Sequence, residues 1–300
     1  MKLSLLELLV SAADAGSFAA AADRHQTDPS TVSRQIAALE RHLGGRLFER
    51  NTRHLSLTET GANVLVHARH ILTEMEALRD CVGEAANKVR GKVRLSASVA
   101  YGERRVVPLL GRMQERHPEL KLELVLTETQ QDLVSEGIDL ALRHAPHVSG
   151  DVVAARLHGT SYILCCSPAF AARHGTPETL GDLKGFACLA YALPGMGERW
   201  FRLGEGRPAV PFMVEPAMSI SSPLALRRAC LDGAGIALLA DWLVNDGIRM
   251  NQLIALLPND RLSPSIGENA AWLVYPSRPY QPRRVRVVID FLKQALGAGP

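Results

Sequence analysis

Arg34 and Gln35 stand side by side in the run Ser30-Thr31-Val32-Ser33-Arg34-Gln35-Ile36-Ala37-Ala38-Leu39. Both side chains can make paired hydrogen bonds to base edges, arginine to guanine O6 and N7 and glutamine to adenine N6 and N7. Thr31, Ala38 and His42 share their face at helical spacing, and the resulting strip of small residues and long hydrogen-bonding side chains suits a DNA major groove. Val32, Ile36, Leu39 and Leu43 mark the opposite face and should pack inward. A solvated face of an ordinary amphipathic helix would look the same, so the neighbouring elements decide between the two.

Those neighbours are well marked. Asp28-Pro29 offers an N-cap carboxylate before a proline at the first helical position, where its missing N–H costs nothing. Upstream, Ser17 can cap a short helix to His25, anchored by Phe18 and favoured by its alanines, with a break at Gln26 and Thr27. Met1 to Ala15 carries Leu3, Leu6, Leu9, Val10 and Ala13 at helical spacing and ends at Gly16, which makes it a scaffold helix. Downstream, Gly44-Gly45 stops the helix, and Arg46 to Leu57 reads as a basic hairpin, a wing, in which Leu55 and Leu57 alternate with polar residues. Across this stretch Arg24, Arg34, Arg41, Arg46, Arg50 and Arg53 face only Asp28, Glu40 and Glu49, so positive potential gathers where phosphates would lie.

Thr58 and Glu59 then open a long helix predicted to run to about Val89. Val64, Ala68, Ile71, Met75, Leu78, Val82, Ala85 and Val89 alternate spacings of four and three, the heptad pattern of a coiled-coil seam. The plainer alternative is a stripe packed on the chain's own domains. The position between a wing and a new domain favours a dimer seam, which would place two recognition helices on a two-fold axis. His67 and His70 on this helix lack a third metal ligand nearby, and His144-x-x-His147 is weak as a metal signal.

After Gly91 the period changes to two, with Val93, Leu95 and Ala97 alternating against Lys92, Arg94 and Ser96. Predicted elements then alternate: a helix near 104–117, a strand at 121–127, a helix around 132–136, strands at 139–143, 152–156 and 162–167, and a helix at 168–174. A strand within 209–220, a helix from Ser222-Pro223 to about Asp232, a strand at 235–239, a strand at 269–275 and a terminal helix at 283–296 complete an α/β reading.

The chain's 300 residues, 47% of them hydrophobic, favour two domains, while a net charge of +3 is too mild to identify a nucleic-acid partner by itself. Glu7 and Asp14 interrupt the first apolar run, so no signal peptide is expected, and no run approaches the length of a membrane span. Cys81, Cys165, Cys166, Cys188 and Cys230 are odd in number and lack C-x-x-C spacing, which argues against a disulfide framework or zinc site and for a reduced, cytoplasmic chain. No G-x-S-x-G, glycine-rich phosphate loop or H-E-x-x-H supports an enzyme, and no cofactor is expected.

The set SFAAAA, S-x-x-S-R-Q-I-x-x-L-E, L-G-x-R-L-F-x-R and L-T-x-x-G closely resembles the DNA-binding region of LysR-type transcriptional regulators. GKVRLSASVAYG, EGIDLALR, C-S-P-A-F, GAGIALL and the closing Y-P-x-R-x-x-P-x-x-V-R-x-x-I-D-F-L extend that resemblance through the second half. It implies an α plus α/β architecture. A winged helix-turn-helix would occupy 1–58, a linker and dimerisation helix 59–90, and an effector domain like that of periplasmic binding proteins 91–300. Subdomain I would take about 91–161 and 268–300, and subdomain II about 162–267.

By that resemblance Thr31, Ser33, Arg34, Gln35 and Ala38 meet bases or nearby phosphates, while Arg50, Arg53 and His54 in the wing meet the backbone or minor groove. Val64, Ala68, Ile71, Met75, Leu78 and Val82 form the dimerisation seam. A small effector sits between the two subdomains, outside the carboxyl ends of parallel strands. Placed by position, Ser98, Ala100 and Tyr101 follow the first strand, Thr127 and Thr129 the second and Arg143 the third, with Pro194 in a loop of subdomain II.

Three departures stand out. Ala100 occupies a point where relatives often place a hydroxyl residue, leaving the charge of the effector open. Leu239-Ala240-Asp241 replaces the common L-P after the GIAL strand. Met196-Gly197-Glu198-Arg199-Trp200 suggests a distinctive cleft wall. The expected partners are double-stranded operator DNA, further copies of the chain as a homodimer pairing into a homotetramer, a small-molecule effector and, for an activator, RNA polymerase. Two alternatives remain: a thiol-sensing regulator using Cys188 and Cys230, and a solute-binding protein, which the attached DNA-binding half disfavours.

Overall fold

The computed structural model describes residues 2–49, 55–82, 89–129, 131–145, 147–192, 196–204, 207–266, 269–277 and 280–297, with the side chains at 76, 77, 79–82 and 207 excepted. The amino-terminal part contains α1 (Leu3–Ala15), α2 (Phe18–Arg24), α3 (Pro29–Leu43) and the long α4 (Glu59–Val82). The local signals work as their chemistry dictates. The Ser17 hydroxyl accepts from the amides of Ala19 and Ala20, the Asp28 carboxylate accepts from the Thr31 amide at 2.9 Å, and Gly44 closes α3 in the left-handed conformation at φ 72°.

Leu6, Leu9 and Ala12 of α1, Ala21 and Ala22 of α2, and Val32, Ile36 and Leu39 of α3 interlock in one core with Leu47 and Phe48. Phe18 meets Phe48 edge to face, with ring centroids 5.4 Å apart. Leu43, predicted to join that face, stands 42% exposed because it lies in the last turn, beyond the reach of α1. The base of the wing hairpin is described: Phe48 pairs antiparallel with Leu57, and the Glu49 amide donates to the Ser56 carbonyl at 2.8 Å.

The second half contains two sheets. The first has the order β2-β1-β3-β13-β4, built from β1 (Gly91–Ala97), β2 (Leu120–Leu126), β3 (Leu140–Ala145), β4 (Val152–Thr160) and β13 (Asn269–Pro276). β1, β2 and β3 run parallel, and β13 lies antiparallel to both β3 and β4. The second sheet is ordered β8-β7-β12-β5-β10-β6-β9, from β5 (Tyr162–Cys166), β6 (Cys188–Tyr191), β7 (Arg199–Gly204), β8 (Arg207–Met213), β9 (Pro216–Ile220), β10 (Ile236–Ala240) and β12 (Leu262–Ser263), with β11 (Ile254–Ala255) pairing β5. The chain passes between sheets at Ser161 and again after Ser263, the end of β12. Helices α7 (Pro168–His174), α8 (Pro223–Leu231), α9 (Asp241–Arg249) and α10 (Arg283–Leu296) cover the faces.

Several predicted elements change form. The helix expected at 104–117 begins earlier, as α5 (Val99–Tyr101), and passes through a wide π turn and a tight 3-10 turn around Pro108 before α6 (Leu110–Arg116). Pro108 has no amide to continue a regular ladder. Gly102 sits close against β2: a Cβ there would lie 2.2 Å from Leu126 Cδ2, so that side chain would have to move to admit one. The helix expected at 132–136 is only a turn. Asp132 accepts from the Ser135 amide, and Gly137 at φ 64° takes the chain away towards β3. Arg143 lies within β3, paired with Trp272, rather than after the strand.

One side chain ties the two halves together. Arg69 on α4 reaches the Asp14 carboxylate of α1 with one arm, and the other donates to the carbonyl of Ser135 in that same turn.

Candidate functional site

Two regions assemble the predicted residues. On α3, Ser33, Arg34 and Gln35 are exposed and Thr31 and Ala38 are half-buried, whereas Val32, Ile36 and Leu39 are buried. The outward strip is preorganised. Asp28 accepts from the Thr31 hydroxyl at 2.7 Å, and Thr31 in turn accepts from Arg34 Nη2 at 3.0 Å. Hydrogen bonds from Ser30 and Thr31 hold the Asp28 carboxyl well below its usual range, so the cap stays charged at neutral pH.

Glu40, read from sequence only as a negative charge, anchors the wing. Its Oε1 accepts from the amides of Leu47 at 2.8 Å and Phe48 at 3.3 Å, locking the base of the hairpin to α3. Arg50, Arg53 and His54 lie outside the described residues, as does Pro194.

The heptad stripe of α4 divides. Ala68 is buried in the winged domain's own core and is not available to a partner, while Val64 is half-buried and packs against that core. Burial against α1 satisfies the same spacing that a coiled coil would use. Beyond them, Ile71 is 41% and Leu78 61% exposed, and Met75 is half-buried. The backbone at Val82 is helical, and its side chain falls outside the described set.

The second region is a cleft of about 430 Å³ between the two sheets. Parallel strands put it there: the carboxyl ends of β1, β2 and β3 contribute Ser98, Ala100, Thr127, Thr129 and Arg143, while those of β6 and β10 contribute Tyr191 and Ala240 from the other side. Thr127 and Thr129 hydroxyls bond to one another at 2.9 Å. Met196, in the predicted cleft wall, does line it, and Ala240 caps the start of α9.

Tyr101 is not a cleft residue. It is fully buried, because α5 turns its ring inward, edge-on to His144 and Trp242 at 4.3 and 5.2 Å. Its hydroxyl lies 2.8 Å from His158 Nε2, and burial raises its pKa to about 12. His158 Nδ1 faces the Gly159 carbonyl, which can only accept, so Nδ1 carries the hydrogen and the tyrosine hydroxyl donates to Nε2.

Sequence reasoning missed His144, Thr160, Tyr162, Tyr191, Pro223 and Trp242, all of which line the cleft. Four unpartnered buried polar atoms belong to lining residues: Arg143 Nη2, His144 Nε2, Thr160 Oγ1 and Trp242 Nε1. Removal from water, reinforced by His158, lowers the His144 pKa to about 3 and leaves the ring neutral. Asp241, part of an unusual sequence here, clamps the passage between sheets: its amide donates to the Ser161 carbonyl at 2.8 Å, and its carboxylate accepts from the Ser161 amide at 3.3 Å. Asp246 of α9 joins the two subdomains by pairing with both Arg104 and Arg227.

Cys165, Cys166, Cys188 and Cys230 are buried and form no disulfide. Burial pushes the Cys166 and Cys188 thiols up to about 11, and the Cys230 thiol, burial and neighbouring sulfurs raise that of Cys165. These thiols are poor nucleophiles at neutral pH. Among the described residues no group of three His, Cys, Asp or Glu side chains could hold a metal ion, and no helix is long and apolar enough to cross a membrane.

A helix-turn-helix with a hairpin beside its second helix, followed by a two-sheet module enclosing a cleft, is the make-up of a ligand-responsive DNA-binding regulator. Residues 3–62 match the model of the bacterial regulatory helix-turn-helix protein, lysR family, and residues 86–297 that of the LysR substrate binding domain. The chain belongs to the LysR family of transcriptional regulators. It is 34% identical over 293 residues to the HTH-type transcriptional regulator CrgA of Neisseria meningitidis serogroup C, covering 97% of this chain and 96% of that one. It is 31% identical to DmlR of Escherichia coli K12, covering 97% and 94%. A solved structure of CrgA from Neisseria meningitidis superposes with a TM-score of 0.63 at 32% identity over 99% of both chains. These relatives are regulators rather than enzymes.

Proposed function

We propose that this regulator binds duplex operator DNA as a dimer, pairs into a tetramer, and responds to a small molecule bound between its two subdomains. The observation that carries the DNA reading is the division of α3: Ser33, Arg34 and Gln35 stand outward on a helix whose other face is fixed in the core. Arg34 and Gln35 then read bases in the major groove, Thr31, Ser33 and Ala38 fit against the strand, and the wing's Arg50, Arg53 and His54 meet the backbone or minor groove.

Ile71, Met75 and Leu78 supply the exposed part of the seam, and two copies of α3 related by its two-fold axis address two half-sites. An effector that favours one separation of the two sheets over another shifts the geometry of the assembly by its difference in affinity for the two. An activator of this kind would also touch RNA polymerase. Cys188 and Cys230 are both buried, and burial pushes the Cys188 thiol up, so the thiol-sensing alternative gains no support.

The test is a binding titration of purified protein on the duplex flanking its own coding region, run at several salt concentrations beside a random duplex of equal length. Selective binding with a steep salt dependence is expected. Equal binding to both duplexes, persisting across a library of genomic fragments, would refute the recognition-face assignment.

A further inference from the structure

The cleft's polar atoms constrain what can occupy it. Arg143 is the one arginine or lysine among the described lining residues. Nη1 donates to the Ser96 hydroxyl at 3.3 Å, Nη2 is buried without a partner, and no described carboxylate lies within ion-pair distance. The nearest influence, Glu136, has its carboxylate bonded to Gln131. A guanidinium remains charged under all ordinary conditions, and although Arg143 is only half-buried and feels Glu136 at a distance, leaving its Nη2 out of water without an acceptor is costly. Trp242 Nε1, likewise buried and unpartnered, can only donate.

A ligand that satisfies both atoms must therefore bring acceptors. Its charge is limited as well: His144 is neutral, and Glu128 lines the same cleft with its own negative charge. Leu142, Val148, Met196, Tyr162 and Tyr191 give one part of the wall an apolar or aromatic surface, beside the hydroxyls of Ser98, Thr127, Thr129, Ser149 and Thr160. Resting on the effector reading of this cleft, we propose that the ligand is a small monocarboxylate with an apolar body, its carboxylate on Arg143 and its body against the tyrosines and Met196. A second carboxylate would meet Glu128 with no cation to offset it, and a neutral isostere would leave Arg143 unpaired.

The test is calorimetric titration of the full-length protein with cyclohexanecarboxylate and phenylacetate, beside the neutral cyclohexanemethanol and the dianion adipate. At least one monocarboxylate should bind, and bind more tightly than both the neutral and the dianionic probe. Arg143→Gln should weaken it roughly 10- to 100-fold, as expected for loss of a charged hydrogen bond. Trp242→Phe, which keeps the aromatic body, should weaken it less, and provides the check if Arg143→Gln fails to fold. The proposal is overturned if the alcohol or adipate binds as well as the acids, or if both variants keep full affinity. It is equally overturned if no acid binds at roughly 10 mM, where even millimolar affinity would register. Selective operator binding by the same sample would then leave the regulator reading standing and the ligand class refuted.

Discussion

Replacing Gly61 with alanine sets two opposed effects against each other. Gly61 lies in the first turn of α4, where alanine should help: relative to glycine it favours a helix by about 1 kcal/mol, partly by restricting the unfolded chain. The surroundings forbid the gain. A Cβ at this position would fall 1.9 Å from the carbonyl oxygen of Leu47 and 2.8 Å from its carbonyl carbon.

That carbonyl cannot swing aside, because it accepts from the Thr58 amide at 3.0 Å while the Leu47 amide is held by Glu40 and the Leu47 side chain is fully buried. Relief needs a backbone shift of roughly 1 Å, and overpacking of this kind typically costs about 1–3 kcal/mol or more. With the obstruction in main chain fixed on both sides, we expect the upper end to apply and Gly61→Ala to destabilise the winged domain by about 2 kcal/mol net. The assay is native-state amide exchange on the full-length protein, read at the α3 amides of Val32 to Leu39. Those amides should exchange roughly thirtyfold faster, since 1.36 kcal/mol corresponds to a factor of ten. Unchanged or slower exchange would show that the close approach does not govern this glycine.

Three other outcomes follow from the geometry. Arg34→Ala should lower affinity for the operator and flatten discrimination between bases by about 1–3 kcal/mol at one position, without changing the melting of α3; quantitative mobility shifts on single-base operator variants read this, and unchanged selectivity would refute the assigned face. Leu78→Glu, at a position 61% exposed in the single chain, should weaken dimerisation measured by analytical ultracentrifugation while leaving the secondary structure intact, and an unaltered dimer constant would place the seam elsewhere. The folded pKa of His144, about 3, lies below its ordinary 6.5, so the fold favours the neutral ring. Its contribution is complete above pH 6.5 and is lost as pH falls from there towards 3. His144→Gln should flatten the acid side of a denaturation-versus-pH curve in that window relative to the parent chain, and identical slopes would contradict the assigned burial.

Much of the DNA-binding half was legible because its signals are local. Ser17, Asp28-Pro29 and Gly44 each fix a helix end through contacts within a few residues, and each does so here. The cleft was legible in part. Period-two strands placed Ser98, Thr127 and Thr129, but four-residue β6, buried along its whole length, carries no alternation to betray it, and with it went Tyr191.

Trp242 and His144 meet across 5.2 Å of space but nearly a hundred residues of chain, a proximity that spacing cannot encode. Tyr101 erred for the opposite reason: its position after a strand was right, but a helix starting at Val99 rotated the ring into the core. The heptad on α4 shows that one periodicity can serve two partners in succession, the chain's own core at Val64 and Ala68 and open solvent at Ile71 and Leu78.

The grip of Arg69 on both halves ends a longer path of contacts. From the cleft, Arg143 donates to Ser96, Ser96 to Gln131, and Gln131 to Glu136. The turn bearing Glu136 offers its Ser135 carbonyl to Arg69, whose other arm holds Asp14 on the first helix. A continuous line of hydrogen bonds thus runs from the cleft to the winged domain, and its longest link is the 3.3 Å contact between Arg143 and Ser96. A ligand engaging Arg143 would touch the end of a line that finishes on the first helix, so the cleft and the DNA-binding half share a border in polar contacts as well as in chain.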